Sequence, residues 1–144
     1  MKCTLNICPE REEEILIFAH KRTLLTDTIS ALAQEDDFEL TGFYNGSAKK
    51  LELTDIFCFV SEENRIFAIT ENEKWQIKTR LYKIEESLPA TFVRLNQSCI
   101  ANIRQIDRFE TTFGGALSVV FKNGYTDYIS RRQLKTVKER LGIE

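Results

Sequence analysis

A mainly β fold with short helices, an α+β class, is predicted by three observations. Short apolar runs broken by turn residues fill the chain from Lys50 to Ile129. An Asn123-Gly124 pair joins two segments of alternating hydrophobicity. Helical spacing is confined to three stretches, near residues 24–35, 75–88 and 130–141.

In chain order, Cys3–Cys8 and Ile15–His20 read as strands, followed by a helix from Leu24 to Glu35. Leu25, Ile29, Leu32 and Ala33 give that helix an apolar stripe, and an acidic EDDFE run closes the segment. TGFYNGSAKK then reads as a turn-rich basic linker centred on Asn45-Gly46-Ser47. LELTDIFCFV and RIFAIT are apolar runs separated by a four-residue turn, SEEN. In WQIKTRLYKIEESL, residues Ile77, Leu81, Ile84 and Leu88 share one face of an amphipathic helix that Pro89 ends. Residues 92–95 and 100–109 read as strand and turn.

Leu117, Val119 and Phe121 alternate into the Asn123-Gly124 pair, which predicts a type I′ hairpin returning through Tyr125–Ile129. The final helix carries a capping-box pattern, Ser130 as N-cap and Gln133 reaching back. Leu134, Val137 and Leu141 form its apolar face, Gly142 stops it, and Arg131, Arg132, Lys135 and Lys138 point outward. The Arg131-Arg132 pair is electrostatically misplaced. Cations in a first helical turn oppose the macrodipole by roughly 0.3–1 kcal/mol each. Such a pair either lies on a solvated face or has an anion opposite it.

These elements divide the chain into a small strand-strand-helix element, 1–44, and a larger β domain, 45–144. So short a first element cannot build its own core, so it is expected to pack on the rest or to serve as a partner or dimer contact. With 42% hydrophobic residues the chain has the composition of a folded protein rather than a disordered one. No apolar run approaches the ~20 residues needed to span a bilayer. The first residues lack a signal-peptide core, so a cytoplasmic location is expected.

Net charge is −2, which taken whole argues against a polyanion partner. The distribution argues otherwise: residues 1–45 hold four basic and nine acidic side chains, and residues 46–144 hold sixteen and thirteen. Binding follows the local field. Cys3, Cys8, Cys58 and Cys99 form no CxxC, and His20 is the one histidine, so neither a metal site nor any cofactor is expected. Reduced thiols are the simplest reading, with Cys3–Cys8 redox sensing as a minor one. Catalysis has little support: there is no phosphate-cradling glycine loop or triad, and the carboxylates lie in surface-like runs.

Three polar sites suit nucleic acid better. Asn64-Arg65 occupies a loop between strands, Asn96-Gln97-Ser98 lies where a strand ends, and Arg131-Arg132 starts a helix. Each pairs a side chain able to read a base edge with a phosphate-seeking neighbour. A protein-protein interaction module with a basic face for an acidic partner is the alternative.

The run Phe92-Val93-Arg94-Leu95-Asn96-Gln97-Ser98-Cys99-Ile100-Ala101-Asn102, followed by Ile106, resembles the central motif of the LytTR DNA-binding domains. Ile129-Ser130-Arg131-Arg132 with Leu134 resembles that family's last strand-to-helix signature, and Asp55–Val60 its opening strand. The resemblance covers roughly residues 45–142. It implies an elongated β-β-β domain whose loops and last helix start enter successive major grooves of tandem promoter repeats. By position it implies base contacts from Asn64, Gln97 and Arg132, and phosphate contacts from Arg65, Ser98 and Lys135. Asn96, Arg131 and Lys138 are additional candidates, while Arg94, Asn102 and Ser130 look structural. Asn96 stands where many members carry His, which implies a different sequence preference. The first element is too short for a receiver, so the chain resembles free-standing transcriptional regulators, which bind double-stranded DNA as a homodimer and are often restrained by a membrane-protein inhibitor.

Overall fold

The computed structural model describes residues 2–12, 14–34 and 39–142. Ten strands and three helices follow in order: α1 Leu24–Gln34, β1 Leu40–Tyr44, β2 Ser47–Leu51, β3 Cys58–Glu62, β4 Arg65–Ile69, β5 Lys74–Ile77, α2 Leu81–Ser87. Then come β6 Phe92–Asn96, β7 Cys99–Asn102, β8 Ile106–Thr111, β9 Leu117–Phe121, β10 Thr126–Tyr128 and α3 Arg131–Leu141. The predicted mainly β fold with short helices is the fold observed.

One seven-stranded sheet has the order β2-β1-β5-β4-β3-β7-β6, and a three-stranded sheet the order β10-β9-β8. Every pairing is antiparallel. The central strands of the larger sheet are buried on both faces, which is why they read as continuous apolar runs. Phe59, Ile66, Ala68, Trp75, Ile77 and Ile100 face one core, closed by Leu81 and Ile84 of α2. Cys58, Val60, Ile69, Val93, Leu95 and Ala101 face a second core, closed by Val119 and Phe121 of β9 and Val137 of α3.

Several local expectations are corrected. Residues 3–8 and 15–20 form no strand, because no neighbouring strand offers them a ladder; Ile15, Leu16 and Phe18 lie exposed. Helix α1 forms, but Leu25 and Leu32 of its stripe are exposed as well. The EDDFE run falls almost wholly outside the described residues.

The basic stretch expected to be a linker is a hairpin, β1–β2, in register from Leu40↔Leu51 to Tyr44↔Ser47. Its Asn45-Gly46 turn has φ of 45° and 77°, the paired positive values of a type I′ turn. Gly42 lets this hairpin close onto β5. A Cβ there would lie 2.7 Å from Leu51 Cδ1 and 2.8 Å from Trp75 Cβ. Gly42→Ala is therefore expected to cost about 1–3 kcal/mol, measured as a lowered midpoint in denaturant unfolding followed by Trp75 fluorescence.

Helix α2 begins at Leu81, not near Trp75. Trp75 and Ile77 are buried in alternation on β5, so period two prevails there, and the helical stripe survives only in Leu81, Ile84 and Leu88. The Asn123-Gly124 hairpin uses a three-residue loop instead of a type I′ pair. Gly124 N–H donates to Phe121 O at 2.9 Å, Phe121 N–H to Tyr125 O at 2.8 Å, and within this loop positive φ falls on Gly124 alone, at 89°. That is a type I turn with a glycine bulge. The Asn123 side chain explains the choice: its Oδ1 accepts from Tyr125 N–H at 3.0 Å and its Nδ2 donates to Thr70 O at 3.1 Å.

Ser130 occupies the N-cap of α3 with φ −69° and ψ 154°, but the capping box with Gln133 does not form, since neither side chain makes the cap bond. The helix is held by other means. Ser130 N–H donates to Leu95 O at 2.9 Å, Arg140 Nη2 donates to Phe92 O at 3.2 Å, and Gly142 closes the C-terminus in the left-handed region. Burial lowers the Arg140 pKa, the expected direction for a guanidinium drawn under a sheet edge.

Candidate nucleic-acid interface

Three segments far apart in sequence meet at one end of the seven-stranded sheet. The β3–β4 turn, Glu63-Asn64, and the β6–β7 turn, Gln97-Ser98, are neighbours because β3 pairs with β7. The ladder extends to the turn itself, where Ser61 N–H donates to Ser98 O at 2.8 Å. The start of α3 is tied to the same end by the Ser130–Leu95 bond.

Asn96 fastens the third segment to the second. Its Nδ2 donates to Asp127 Oδ1 at 2.9 Å and to Tyr128 O at 2.8 Å, and its Oδ1 accepts from Ser98 N–H at 2.8 Å. Asp127 Oδ1 also accepts from Tyr128 N–H at 2.8 Å. Asn96 is 2% exposed, so the expectation that it touches DNA is corrected. Its polar atoms are spent inside the chain, where they set the Gln97-Ser98 turn against the lead into α3. Burial, and then the Asp127 carboxylate, push the Tyr125 phenol pKa upward, keeping that ring neutral beside the network.

With Asn96 inside, the exposed candidates at this end are Asn64, Arg65, Gln97, Ser98, Arg131, Arg132 and Lys135, beside the exposed carboxylates Glu62 and Glu63. Lys138, expected to face fully outward, is half-buried as α3 rolls Val137 under β6. Among the described residues none of Arg65, Arg131, Arg132 or Lys135 takes part in an ion pair. The first turn of α3 contains no acidic residue either. The misplaced charge read in the sequence is thus uncompensated among the described residues.

Lys78 is a further cation at this end, hidden in the sequence by the helical stripe that runs through Ile77 and Leu81. Ile77 pairs with Ile66, so Lys78 follows β5 out of the sheet beside Arg65, with Nζ 4.2 Å from the Phe43 ring centroid. Period-two burial of Trp75 and Ile77 was the signal that could have found it.

The β3–β4 turn is strained. Glu63 and Asn64 have φ of 49° and 63°, making this the second type I′ turn, and Glu63 lacks the tolerance of Asn or Gly for that region. Glu63→Asn is expected to raise stability by about 1 kcal/mol. It also removes a carboxylate beside Arg65, so it should tighten rather than weaken polyanion binding. Parallel melting and binding titrations check both signs.

Asn102 behaves as its structural reading requires, with Nδ2 donating to Ile56 O at 2.8 Å and Oδ1 accepting from Arg104 N–H at 3.1 Å. Arg94 lies 3.5 Å from Glu85, linking β6 to α2. Cys58 and Cys99 are buried on adjacent strands, and hydrogen bonding to Cys58, then burial, hold the Cys99 thiol pKa well above its usual value. It stays protonated, the inert form of a buried thiol. Cys3 and Cys8 are exposed and free. Among the described residues there is no cluster of metal-ligating side chains. No helix among them is long and apolar enough to cross a membrane.

The family model of the LytTr DNA-binding domain matches residues 46–142. Uncharacterized HTH-type transcriptional regulators of Staphylococcus aureus strains NCTC 8325 and N315 are each 34% identical to the chain over 104 residues, covering 72% of it and 71% of the relative. A solved chain, named as the LytTr DNA-binding domain of a methyl-accepting/DNA response regulator from Bacillus cereus, superposes with a TM-score of 0.68. It is 17% identical and covers 73% of this chain and 97% of its own, a likeness of fold. The relatives' label of helix-turn-helix does not describe this domain: five strands separate α2 from α3, and α3 packs on β6. On the match across 46–142, with its β architecture and its three converging polar segments, this chain belongs to the LytTr DNA-binding domain family.

Proposed function

We propose that this chain is a bacterial, cytoplasmic, sequence-specific transcriptional regulator that reads double-stranded DNA through the three-segment end of its seven-stranded sheet. The observation that carries the reading is the set of exposed cations there, Arg65, Arg131, Arg132 and Lys135, without ion-pair partners among the described residues. A charge placed against a helix macrodipole is relieved by an external anion, and phosphate is the natural one.

Asn64, Gln97 and Arg132 are the proposed base contacts. Amides can bond adenine N6 and N7 in the major groove, and arginine can bond guanine O6 and N7. Arg65, Ser98 and Lys135 are the proposed phosphate contacts, with Arg131 and the half-buried Lys138 in support. The turns sit side by side and α3 is bonded to the second, so all three segments can face one duplex together. Two copies on tandem repeats, no cofactor, and restraint by a membrane protein complete the proposal.

A salt titration of duplex binding tests it. Affinity is expected to fall with a log–log slope of about 0.9 per phosphate neutralised. Absence of duplex binding at low salt would leave the basic face to an acidic protein partner instead.

A further inference from the structure

We infer that Phe113, at the tip of the β8–β9 hairpin, enters the minor groove of the bound duplex and wedges between two base pairs, beside the major groove taken by α3. This contact presupposes the DNA reading and adds a fourth point to it. Phe113 is 107% exposed, the highest value among the large hydrophobic residues described. Its ring belongs to neither hydrophobic core, so packing within the chain does not explain it. Residues 111–116 are all exposed, and their sequence, TTFGGA, carries no charge.

The tip is held by its own hydrogen bonds. Thr112 N–H donates to Ala116 O at 2.7 Å, Thr112 Oγ1 donates to the same carbonyl at 3.0 Å, and Gly115 N–H donates to Thr112 O at 3.1 Å. Phe113 therefore stands at the first corner of a four-residue turn. Gly114 takes the second corner with φ of 89°, the positive value that a type II turn requires. A Cβ at Gly114 or Gly115 would meet nothing within 4 Å, so a groove wall can approach this backbone closely.

Strand pairing places the tip at the DNA-facing end. Tyr128 lies opposite Ser118, and Ile129 N–H continues that ladder to Leu117 O at 2.9 Å. Thr111 pairs with Leu117 on the other side. Phe113 lies two residues beyond Thr111, as Arg131 lies two beyond Ile129, so the tip rises about 7 Å past the level from which α3 starts. Across the sheet, β8 is two strand spacings from β10, about 10 Å. On its far side the α3 start is bonded to Leu95 of β6. The tip thus continues the row formed by the β3–β4 turn, the β6–β7 turn and the α3 start. One phosphate strand beyond a major groove lies the minor groove, where apolar wedges part base steps.

The tip does not repel a polyanion. Asp107 and Glu110, the carboxylates of β8, are both held by Arg108. Docking of Arg131 and Arg132 brings the ring to the duplex, and a ring without a donor finds contact there only on sugars and base faces.

The test compares the full chain with Phe113→Ala, Phe113→Leu and Phe113→Trp on the duplex that the wild type selects from a random pool. Phe113→Ala is expected to bind about tenfold more weakly. Its salt slope should stay unchanged, because no phosphate contact is lost. Its bend, read from circularly permuted duplexes, should fall by about 20° or more. Phe113→Leu, still an apolar wedge, should keep most of the bend, and the added indole of Phe113→Trp should be quenched on binding. Unfolding midpoints equal to the wild type are the control for folding. Equal affinity and bend for Phe113→Ala overturn the inference and leave the DNA reading standing. Absence of duplex binding by the wild type at low salt is the separate failure of that reading and takes the inference with it. A loss seen with two repeats and not with one would make the tip a contact between copies, and overturns it equally.

Discussion

Asn96→Ala is expected to lower the unfolding free energy by about 1–3 kcal/mol, since it strands three part-buried hydrogen-bonding groups, one of them a carboxylate. The lost partners are Asp127 Oδ1, Tyr128 O and Ser98 N–H. The size of the effect follows from position. Asn96 is the polar tie between the β6–β7 turn and the strand that leads into α3, so its loss frees two of the three segments of the interface at once. Denaturant unfolding gives the stability term. DNA affinity, measured well below the unfolding midpoint, should fall as well even though Asn96 touches no solvent. Normal stability in the variant would mean that the network is replaced by water at no cost, and would remove Asn96 as the organiser of the site.

Arg132→Ala carries the second large effect. A bidentate arginine–guanine contact contributes about 1–3 kcal/mol of discrimination against the wrong base. Its removal should weaken the preferred duplex by that amount while barely altering others, so preference relaxes at one base position. Lys135→Ala, one turn along the same helix, should weaken all duplexes alike and reduce the salt slope by about one unit. The contrast separates base reading from charge. Uniform weakening by Arg132→Ala would reassign Arg132 to a phosphate contact and leave the base-reading role to Gln97 and Asn64.

The β fold was legible wherever burial alone decides secondary structure. The runs that became β3, β4, β6 and β7 are buried on both faces, and nothing competes with their apolar signal. The failures have specific physical causes. Ile77 fits a helical stripe with Leu81, Ile84 and Leu88 as well as it fits a strand, and pairing with β4 settled the matter. Asn45-Gly46 and Asn123-Gly124 look alike in sequence, yet the first makes a type I′ turn and the second a bulged three-residue loop. The difference rests on the Asn123 bond to Thr70, a contact made across 53 residues.

Much of the candidate site was also legible, because turn chemistry and charge are local. Asn64, Gln97 and Arg132 could be singled out as exposed polar side chains next to a cation or a helix start. Asn96 could not be told apart from them. An amide in a turn looks the same whether it faces solvent or its own backbone, and Asp127, thirty-one residues on, is what draws it inward. The strands expected at Cys3–Cys8 and Ile15–His20 missed for the opposite reason. Their apolar pattern is that of strands, but neither segment pairs with a strand among the described residues.

The most direct test of the account is selection of bound duplexes from a random pool, run in parallel with the wild-type chain and with Arg132→Ala. The wild type is expected to enrich a defined motif, repeated at a spacing near a whole number of helical turns, and the variant the same motif with one position degenerate. A pool that stays random after selection with the wild-type chain at low salt would contradict it.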